Sequence, residues 1–209
     1  MENAPLKTSW RKIEDWLLAN APKIHSSLNK PAAVDSIDEL KKLIGSELPL
    51  QLIELYEIHN GIESESIANL VYGMKFISIE DAINLVNNID ANSSPLKYAD
   101  SQIKAGYTLH KKRFPIADDN GTCMLCIDLD PSELGKIGQI IFIDYDCNVA
   151  IKLADSLEDL FHNFQEDLYS EKYSFLAEAL EDNNEWLNPI REIDPVNWFN
   201  SPTWAHIKV

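Results

Sequence analysis

The stretch that most constrains the fold is residues 113–146, RFPIADDNGTCMLCIDLDPSELGKIGQIIFIDYD. It holds three short apolar segments separated by turn residues, a pattern typical of strands joined by tight connections. The first break contains Asn120-Gly121, which predicts a hairpin with a type I′ turn because that turn requires positive φ at both central residues. Residues 149–153 add a fourth apolar segment. The run therefore predicts an antiparallel meander.

The second segment of this meander, residues 122–129, is apolar on both faces at its start. Because side chains alternate between the two faces of a strand, this pattern predicts a central strand with both faces covered. Pro131 ends the strand, since proline has no N–H to donate to a ladder. Cys123 and Cys126 then point to opposite faces, so we expect buried structural thiols rather than a zinc or redox pair.

Helical patterns precede the meander. Ser9 is a candidate N-cap for a first helix, and Ser36-x-x-Glu39 has the form of a capping box for a second. Leu48-Pro49 suits the first turn of a third helix. His59 would lie on the apolar face of that helix as a core histidine with satisfied hydrogen bonds.

Residues 69–77 read as a first strand that Gly73 bulges, and Ser78-x-x-Asp81 caps another helix. Residues 89–107 are polar and weakly patterned, which predicts a long surface loop. After the meander, Ser156 caps a helix with apolar residues at helical spacing. A shorter amphipathic segment follows at residues 173–180.

The order of these elements predicts an α+β fold, with a mostly antiparallel sheet flanked by helices. We expect one domain at residues 1–168, and a helical and aromatic extension at residues 169–209 that packs on it. The extension contains three of the five tryptophans of the chain. Its aromatic surface is either docked on the domain or presented to a partner, and docking is the expectation.

Charge is the bulk property that says most about partners. The formal net charge is −16, and residues 118–209 alone hold 19 acidic and 5 basic side chains. The electric field of such a negative charge repels nucleic acid and anionic membranes and attracts a basic protein. The alternative is that the negative charge serves only to keep the protein soluble. No apolar run is long enough to span a bilayer, no secretory signal is evident, and the cysteine number is odd. We therefore expect a cytoplasmic protein.

The carboxylate pairs of the meander invite a catalytic interpretation. Asp128-x-Asp130 and Asp144-x-Asp146 each place two carboxylates on one face of a strand, and such pairs hold Mg²⁺ in phosphoryl transfer. Both pairs also lie where strands end, a position that favours aspartate for structural reasons. A metal-dependent phosphotransferase, with metal binding lost in Asp128→Ala, is therefore the weaker alternative. We expect that the protein is not an enzyme and that it binds neither a metal ion nor a cofactor.

Several of these segments, in this order, resemble the SUKH superfamily, which includes bacterial immunity proteins and fungal cell-wall assembly regulators. The resemblance covers about residues 9–168 and is carried by Trp10 and Trp16, Ser36-x-x-Glu39-Leu40, Leu48-Pro49, Leu55-Tyr56, His59-Asn60-Gly61, residues 114–119, residues 125–131, residues 138–140, residues 144–146 and Ser156. Family members often have several glycines after the Ala-Asp-Asp run, whereas only Gly121 stands here.

The resemblance implies an α+β fold without catalytic residues, and a role in binding protein partners. Our first hypothesis is a cytoplasmic immunity protein that neutralises a cognate toxin, of a basic nuclease type, through an acidic surface. The side chains expected to supply the charge are Asp118, Asp119, Asp128, Asp130, Asp144 and Asp146. The alternative is a regulatory or scaffolding module of the cell-wall assembly regulator type, which contacts its partner through residues 89–107 or the aromatic tail. The sequence predicts no oligomeric state.

Overall fold

The computed structural model describes residues 5–45, 48–89 and 93–209. The α-helices of the described chain are α1 (Leu6–Asn20), α2 (Pro22–Ser26), α3 (Val34–Ile44), α4 (Leu50–Ile58), α5 (Ile79–Asn87), α6 (Leu157–Tyr169) and α7 (Ala177–Glu181). The strands are β1 (Lys75–Phe76), β2 (Tyr98–Ala99), β3 (Arg113–Asp118), β4 (Cys123–Asp128), β5 (Gln139–Asp144), β6 (Val149–Ala154), β7 (Tyr173–Phe175) and β8 (Leu187–Pro189).

The centre of the fold is a six-stranded sheet with the order β1-β3-β4-β5-β6-β2. Its neighbouring strands are antiparallel except β2 and β6, which are parallel. Every residue of β4 and of β5 is buried. The predicted α+β class, the β3–β6 meander and the central position of β4 are therefore confirmed.

One face of the sheet packs against the helices. Leu125, Ile127 and Phe142 on this face join the main hydrophobic core, together with the apolar stripes of α1 and α6. Within it the ring centroids of Trp10 and Phe161 lie 4.8 Å apart in an edge-to-face arrangement. Apolar burial of this kind is the dominant favourable contribution to folding. The early tryptophan helix therefore serves packing.

The opposite face is covered by residues 93–112, which overlap the segment 89–107 that was expected to be a surface loop. Leu96 and Ile103 pack against Met124, Cys126 and three further buried side chains in a second, smaller core. The segment is irregular apart from β2, as expected for a loop, but the expectation of a purely surface position was wrong. The reason is that β4 and β5 are apolar on both faces, so the second face also needs a cover. Residues 90–92 lie outside the described residues.

The hairpin between β3 and β4 differs from the predicted type I′ turn. Four residues connect the strands, and of Asn120-Gly121 only Asn120 has positive φ, at 55°. The Asp119 carboxylate accepts hydrogen bonds from the backbone N–H of Gly121 at 2.8 Å and of Cys123 at 2.9 Å. A side chain that bonds to backbone two residues onward competes with the tighter turn.

Of the four serines predicted to be N-caps, two cap helices as expected and two do not. Ser78 and Ser156 accept the N–H of the third residue onward, as N-caps do. Ser9 instead lies buried inside α1, which already begins at Leu6. Ser36 lies inside α3, and its hydroxyl donates to Glu80 rather than capping.

Two further segments differ from expectation. Residues 69–77 form only the two-residue β1, because a tight 3-10 turn at Val71–Gly73 with positive φ at Tyr72 and Gly73 interrupts them. Residues 173–180 split into β7 and the short α7, with no buried residue in α7. Strand β7 pairs with β8 in a separate two-stranded sheet.

Candidate functional site

The six aspartates singled out in the sequence lie at two opposite ends of the sheet. Because β4 and β5 are antiparallel, Asp128 pairs with Gln139 at one end, while Asp144 pairs with Cys123 at the other. Asp118 and Asp119 belong to the hairpin at the Asp144 end. The fold thus brings four of the six together and separates Asp128 and Asp130 from them.

Asp128 and Asp130 belong to a network of polar contacts at their end. Asp128 is fully buried and accepts from Gln139 Nε2 at 2.9 Å and from the N–H of Asp130 at 3.1 Å. Burial raises the pKa of the Asp128 carboxyl despite the bond from Gln139. Asp130 is half-buried and pairs with Lys104 and Tyr107. These two bonds outweigh the opposing effect of burial and lower the pKa of Asp130.

The four aspartates of the other end differ in exposure. Asp144 is buried and accepts from the indole N–H of Trp198 at 3.0 Å. Asp118 accepts from the N–H of Asn120, and burial raises the pKa of its carboxyl. Asp119 organises the hairpin loop. Asp146 is exposed. Most of these carboxylates have structural partners, and only some of their charge reaches solvent.

A wide concave surface lies beside this end of the sheet. It consists of two adjoining depressions of about 720 Å³ and 370 Å³ that share Ser64 and Asp81 as lining residues. We call it the acidic groove. Its lining residues are Asn29, Lys30, Asn60, Ile62, Glu63, Ser64, Glu65, Lys75, Ile77, Ser78, Glu80, Asp81, Asn84, Leu85, Asn88, Asp118 and Asn120.

The His59-Asn60-Gly61 segment positions the wall of the groove. Asn60 accepts the N–H of Ile79 at 2.9 Å and donates to the Glu80 carboxylate at 2.8 Å, which fixes the start of α5. Gly61 has φ of +77°, and a Cβ there would lie 2.6 Å from the Ile77 carbonyl carbon. Only glycine fits this conformation and this close approach.

His59 has a different place from the expected core position. It follows the end of α4, half-buried, with Nε2 3.0 Å from the Glu14 carboxylate and Nδ1 against the Asn29 carbonyl. Both ring nitrogens therefore have partners, as expected. The apolar helix face was the wrong location, because the chain is extended at His59 rather than helical.

The charges of the groove are unequal. Five carboxylates line it against two lysines. Glu63 and Glu65 are exposed, whereas Lys75 donates to the backbone carbonyls of Ser64 at 2.7 Å and Ser66 at 2.8 Å.

The hydrogen bonds around Glu80 affect the pKa of its carboxyl. Burial acts to raise its pKa, but hydrogen bonds from Ser36 and Asn60 lower the pKa overall. The exposed Leu85 adds an apolar element to the groove. The arrangement suits a basic polypeptide with some apolar side chains.

The described residues contain no cluster of three or more His, Cys, Asp or Glu side chains able to hold a metal ion. Across these ranges, no helix has the length and apolar character needed to cross a bilayer. Cys123 faces the main core and Cys126 the second core, so the two thiols diverge as expected.

Sequence reasoning missed Glu63, Glu65, Glu80 and Asp81 as groove residues. The available signals were the Asn60-Gly61 pair, which follows the end of α4, and the Ser78-x-x-Asp81 cap, which marks the start of α5. These two segments meet at the groove. Their proximity is a long-range property, because the loop after α4 and the start of α5 are joined through β1.

The fold and the groove define an α+β domain with a concave, charged surface formed at a junction of two helices. The model of the SMI1 / KNR4 family (SUKH-1) matches residues 31–163, more than half of the chain. The chain belongs to this family, and the resemblance to the SUKH superfamily is confirmed.

Two fungal relatives are similar over most of the chain, and a third over about a third of it. "Cell wall biosynthesis/cell cycle regulator smi1" of Schizosaccharomyces pombe is 23% identical over 81% of this chain and 37% of its own length. "Glucan synthesis regulatory protein" of Neurospora crassa is 23% identical over 79% of this chain and 39% of its own. "KNR4/SMI1 homolog 1" of Debaryomyces hansenii is 30% identical over 37% and 18%, respectively. The chain thus spans less than two fifths of these relatives.

Proposed function

We propose that this chain is a non-catalytic, cytoplasmic protein-binding module that regulates cell-wall synthesis. The observation that carries the proposal is the family match over residues 31–163, together with relatives named as regulators of cell-wall or glucan synthesis. Of the two functions considered for the sequence, these relatives favour the regulator over the immunity protein.

The acidic groove is the proposed contact surface for the partner. Its exposed carboxylates at Glu63 and Glu65, its volume and its position beside Asp118 suit a basic segment of a protein. Asp119 and Asp146 lie at the same end of the sheet and add to the negative field. For Asp128 and Asp130 we keep a partner-binding role only as a prediction, because they lie at the opposite end.

The immunity protein remains the second candidate. The acidic surface that would attract a basic toxin is the same one that would attract a basic regulatory partner. A phenotype in the cell therefore separates the two functions better than affinity does.

The test is deletion of the gene in the organism that encodes it. A regulator predicts hypersensitivity to wall-perturbing compounds and altered wall glucan, restored by re-expression of the full protein. An immunity protein predicts normal walls and growth, with death only when a cognate toxin is expressed. Normal walls together with that conditional death would overturn the regulatory proposal.

Partner binding has its own test. Tagged protein is used for affinity capture from the native lysate at low and high salt, followed by mass spectrometry. We expect basic wall-synthesis or signalling proteins that high salt releases, because exposed charge pairs are screened. Capture that is indifferent to salt would contradict an electrostatic contact.

A further inference from the structure

Residues 93–112, which we call the strap, lie across the sheet face opposite the helices. The strap buries Leu96 and Ile103 against the apolar side chains of Met124, Cys126, Ile141, Ile143 and Ala150. Without the strap, an apolar surface on the central strands would face solvent. Exposed apolar patches on central strands are typical of interaction sites.

Little regular structure holds the strap to the sheet. Its only strand, β2, pairs with β6 over two residues. Individual polar contacts include Ser132 N–H to the Gln102 carbonyl at 3.0 Å and Thr108 Oγ1 to Asn148 Oδ1 at 2.7 Å. Segments with few buried apolar contacts open at lower free energy than the core.

A buried arginine connects the strap to the sheet at one end. Arg113 of β3 is 1% exposed, and its guanidinium donates to the backbone carbonyls of Lys104, Tyr107 and Thr108. Its Cζ also lies 4.4 Å from the centroid of the Tyr107 ring. A charged donor that satisfies three carbonyls of one segment fixes that segment in place.

The neighbours of Arg113 reinforce this connection. Asp128 lies opposite Arg113 in the β3–β4 register, and Asp130 binds both Lys104 and Tyr107 of the strap. Gln139, which donates to Asp128, also donates to the strap carbonyl of Gln102 at 3.0 Å. The aspartates at this end of the sheet therefore serve the strap.

We propose that the strap opens as a unit without global unfolding, that Arg113 is its latch, and that opening uncovers the second apolar face. Because the second core is small and the strap backbone is irregular, the free energy of this opening is lower than that of unfolding the helix-covered core. The closed strap is then an intramolecular cover over the second apolar face.

The three cysteines report the opening directly. Cys126 lies under the strap, Cys123 faces the helix-covered core, and Cys147 is partly exposed. Burial raises the pKa of the Cys126 and Cys123 thiols, so each reacts only after its surroundings open. The experiment measures modification rates of the intact protein with a small maleimide, resolved for each cysteine by peptide mass spectrometry.

Two variants weaken the strap differently. Arg113→Met removes the latch. Gly135→Ala instead adds a Cβ in the β4–β5 loop, 2.3 Å from the carbonyl oxygen of Gln102, and this clash displaces the strap. Gly135→Ala keeps the test valid if Arg113→Met does not fold. We expect Gly135→Ala to speed Cys126 modification about tenfold, the factor that ~1.4 kcal/mol of overpacking gives, with Cys123 and Cys147 unchanged.

In the wild-type protein, the maleimide should also modify Cys126 faster than Cys123. One common rate for the two buried cysteines, in the wild type and in Gly135→Ala, would show that the strap opens only with global unfolding. That result would overturn the proposal, and the groove-based function would be unaffected by it.

Discussion

The indole N–H of Trp198 donates to the carboxylate of Asp144 at 3.0 Å, with both side chains buried. This bond joins the C-terminal region to the end of β5, across 54 residues of sequence. The same carboxylate accepts the N–H of Asp146 and of Cys147 in the turn before β6. Asp144 thus connects the sheet and the tail.

Trp198→Phe should therefore destabilise the protein. We expect the free energy of unfolding to fall by about 2–4 kcal/mol, because the buried carboxylate of Asp144 loses a hydrogen-bond donor and the smaller ring leaves a cavity. Urea denaturation followed by circular dichroism measures the change. The neighbouring Phe199, which is 62% exposed, provides the control: Phe199→Leu should stay within ~0.5 kcal/mol of the wild type. Equal effects of the two variants would contradict this role of Asp144.

Gly61→Ala tests the junction that forms the groove wall. The substitution combines a backbone with φ of +77° and a Cβ placed 2.6 Å from backbone atoms of Ile77 and Ser78. We expect a loss of more than about 3 kcal/mol or failure to fold, measured as the urea midpoint and the yield of folded protein. Gly106→Ala, which meets nothing within 4 Å, should leave stability unchanged or slightly higher. A mild effect at Gly61 would mean that the loop adjusts freely.

Asp128→Asn tests the buried carboxyl beside Arg113 through pH. Burial raises the folded-state pKa of Asp128 above its ordinary value of 3.8, so the folded protein retains a proton that the unfolded chain has lost. The contribution of Asp128 to stability is therefore greatest at low pH and falls as pH rises through the folded pKa. Asparagine has no titrating carboxyl, so the Asp128→Asn variant does not lose this stability as the pH rises.

The measurement for this variant is the unfolding free energy of both proteins between about pH 4 and pH 8. The stability of Asp128→Asn relative to the wild type should increase with pH across the lower part of this range and then level off. Other titrating groups cancel in the difference. A difference independent of pH would mean that burial does not shift the pKa of Asp128.

Local signals in the sequence predicted much of the fold. The two apolar faces of β4 predicted a central strand, and Ser78 and Ser156 predicted two helix starts, because a cap or an alternating strand depends on near neighbours. Ser36 misled for the opposite reason: its hydroxyl bonds to Glu80, a residue 44 positions away. The type I′ turn failed because Asp119 offered the backbone a competing acceptor.

The candidate site was predicted less well than the fold. Asp118, Asp119, Asp144 and Asp146 do lie at one end of the sheet, but pairing across β4 and β5 sends Asp128 and Asp130 to the other. Glu63 and Glu65 carried no signal, since an acidic pair in a polar loop has no local meaning. The groove exists because Asn60 binds the start of α5, a contact that sequence pattern does not display.

We propose that the local charge of the acidic groove, rather than the total charge of the protein, recruits a regulatory partner. The matched pair of variants is Glu63→Lys with Glu65→Lys in the groove and Glu178→Lys with Glu181→Lys on the exposed α7. Both change the net charge equally, so only position differs between them.

The most direct measurement replaces the chromosomal gene with each variant and scores growth under wall stress, with protein levels checked by immunoblot. We predict that the groove variant behaves like the deletion and that the α7 variant behaves like the wild type. Wild-type growth of both, or equal failure of both at normal protein levels, would contradict the assignment of function to the acidic groove.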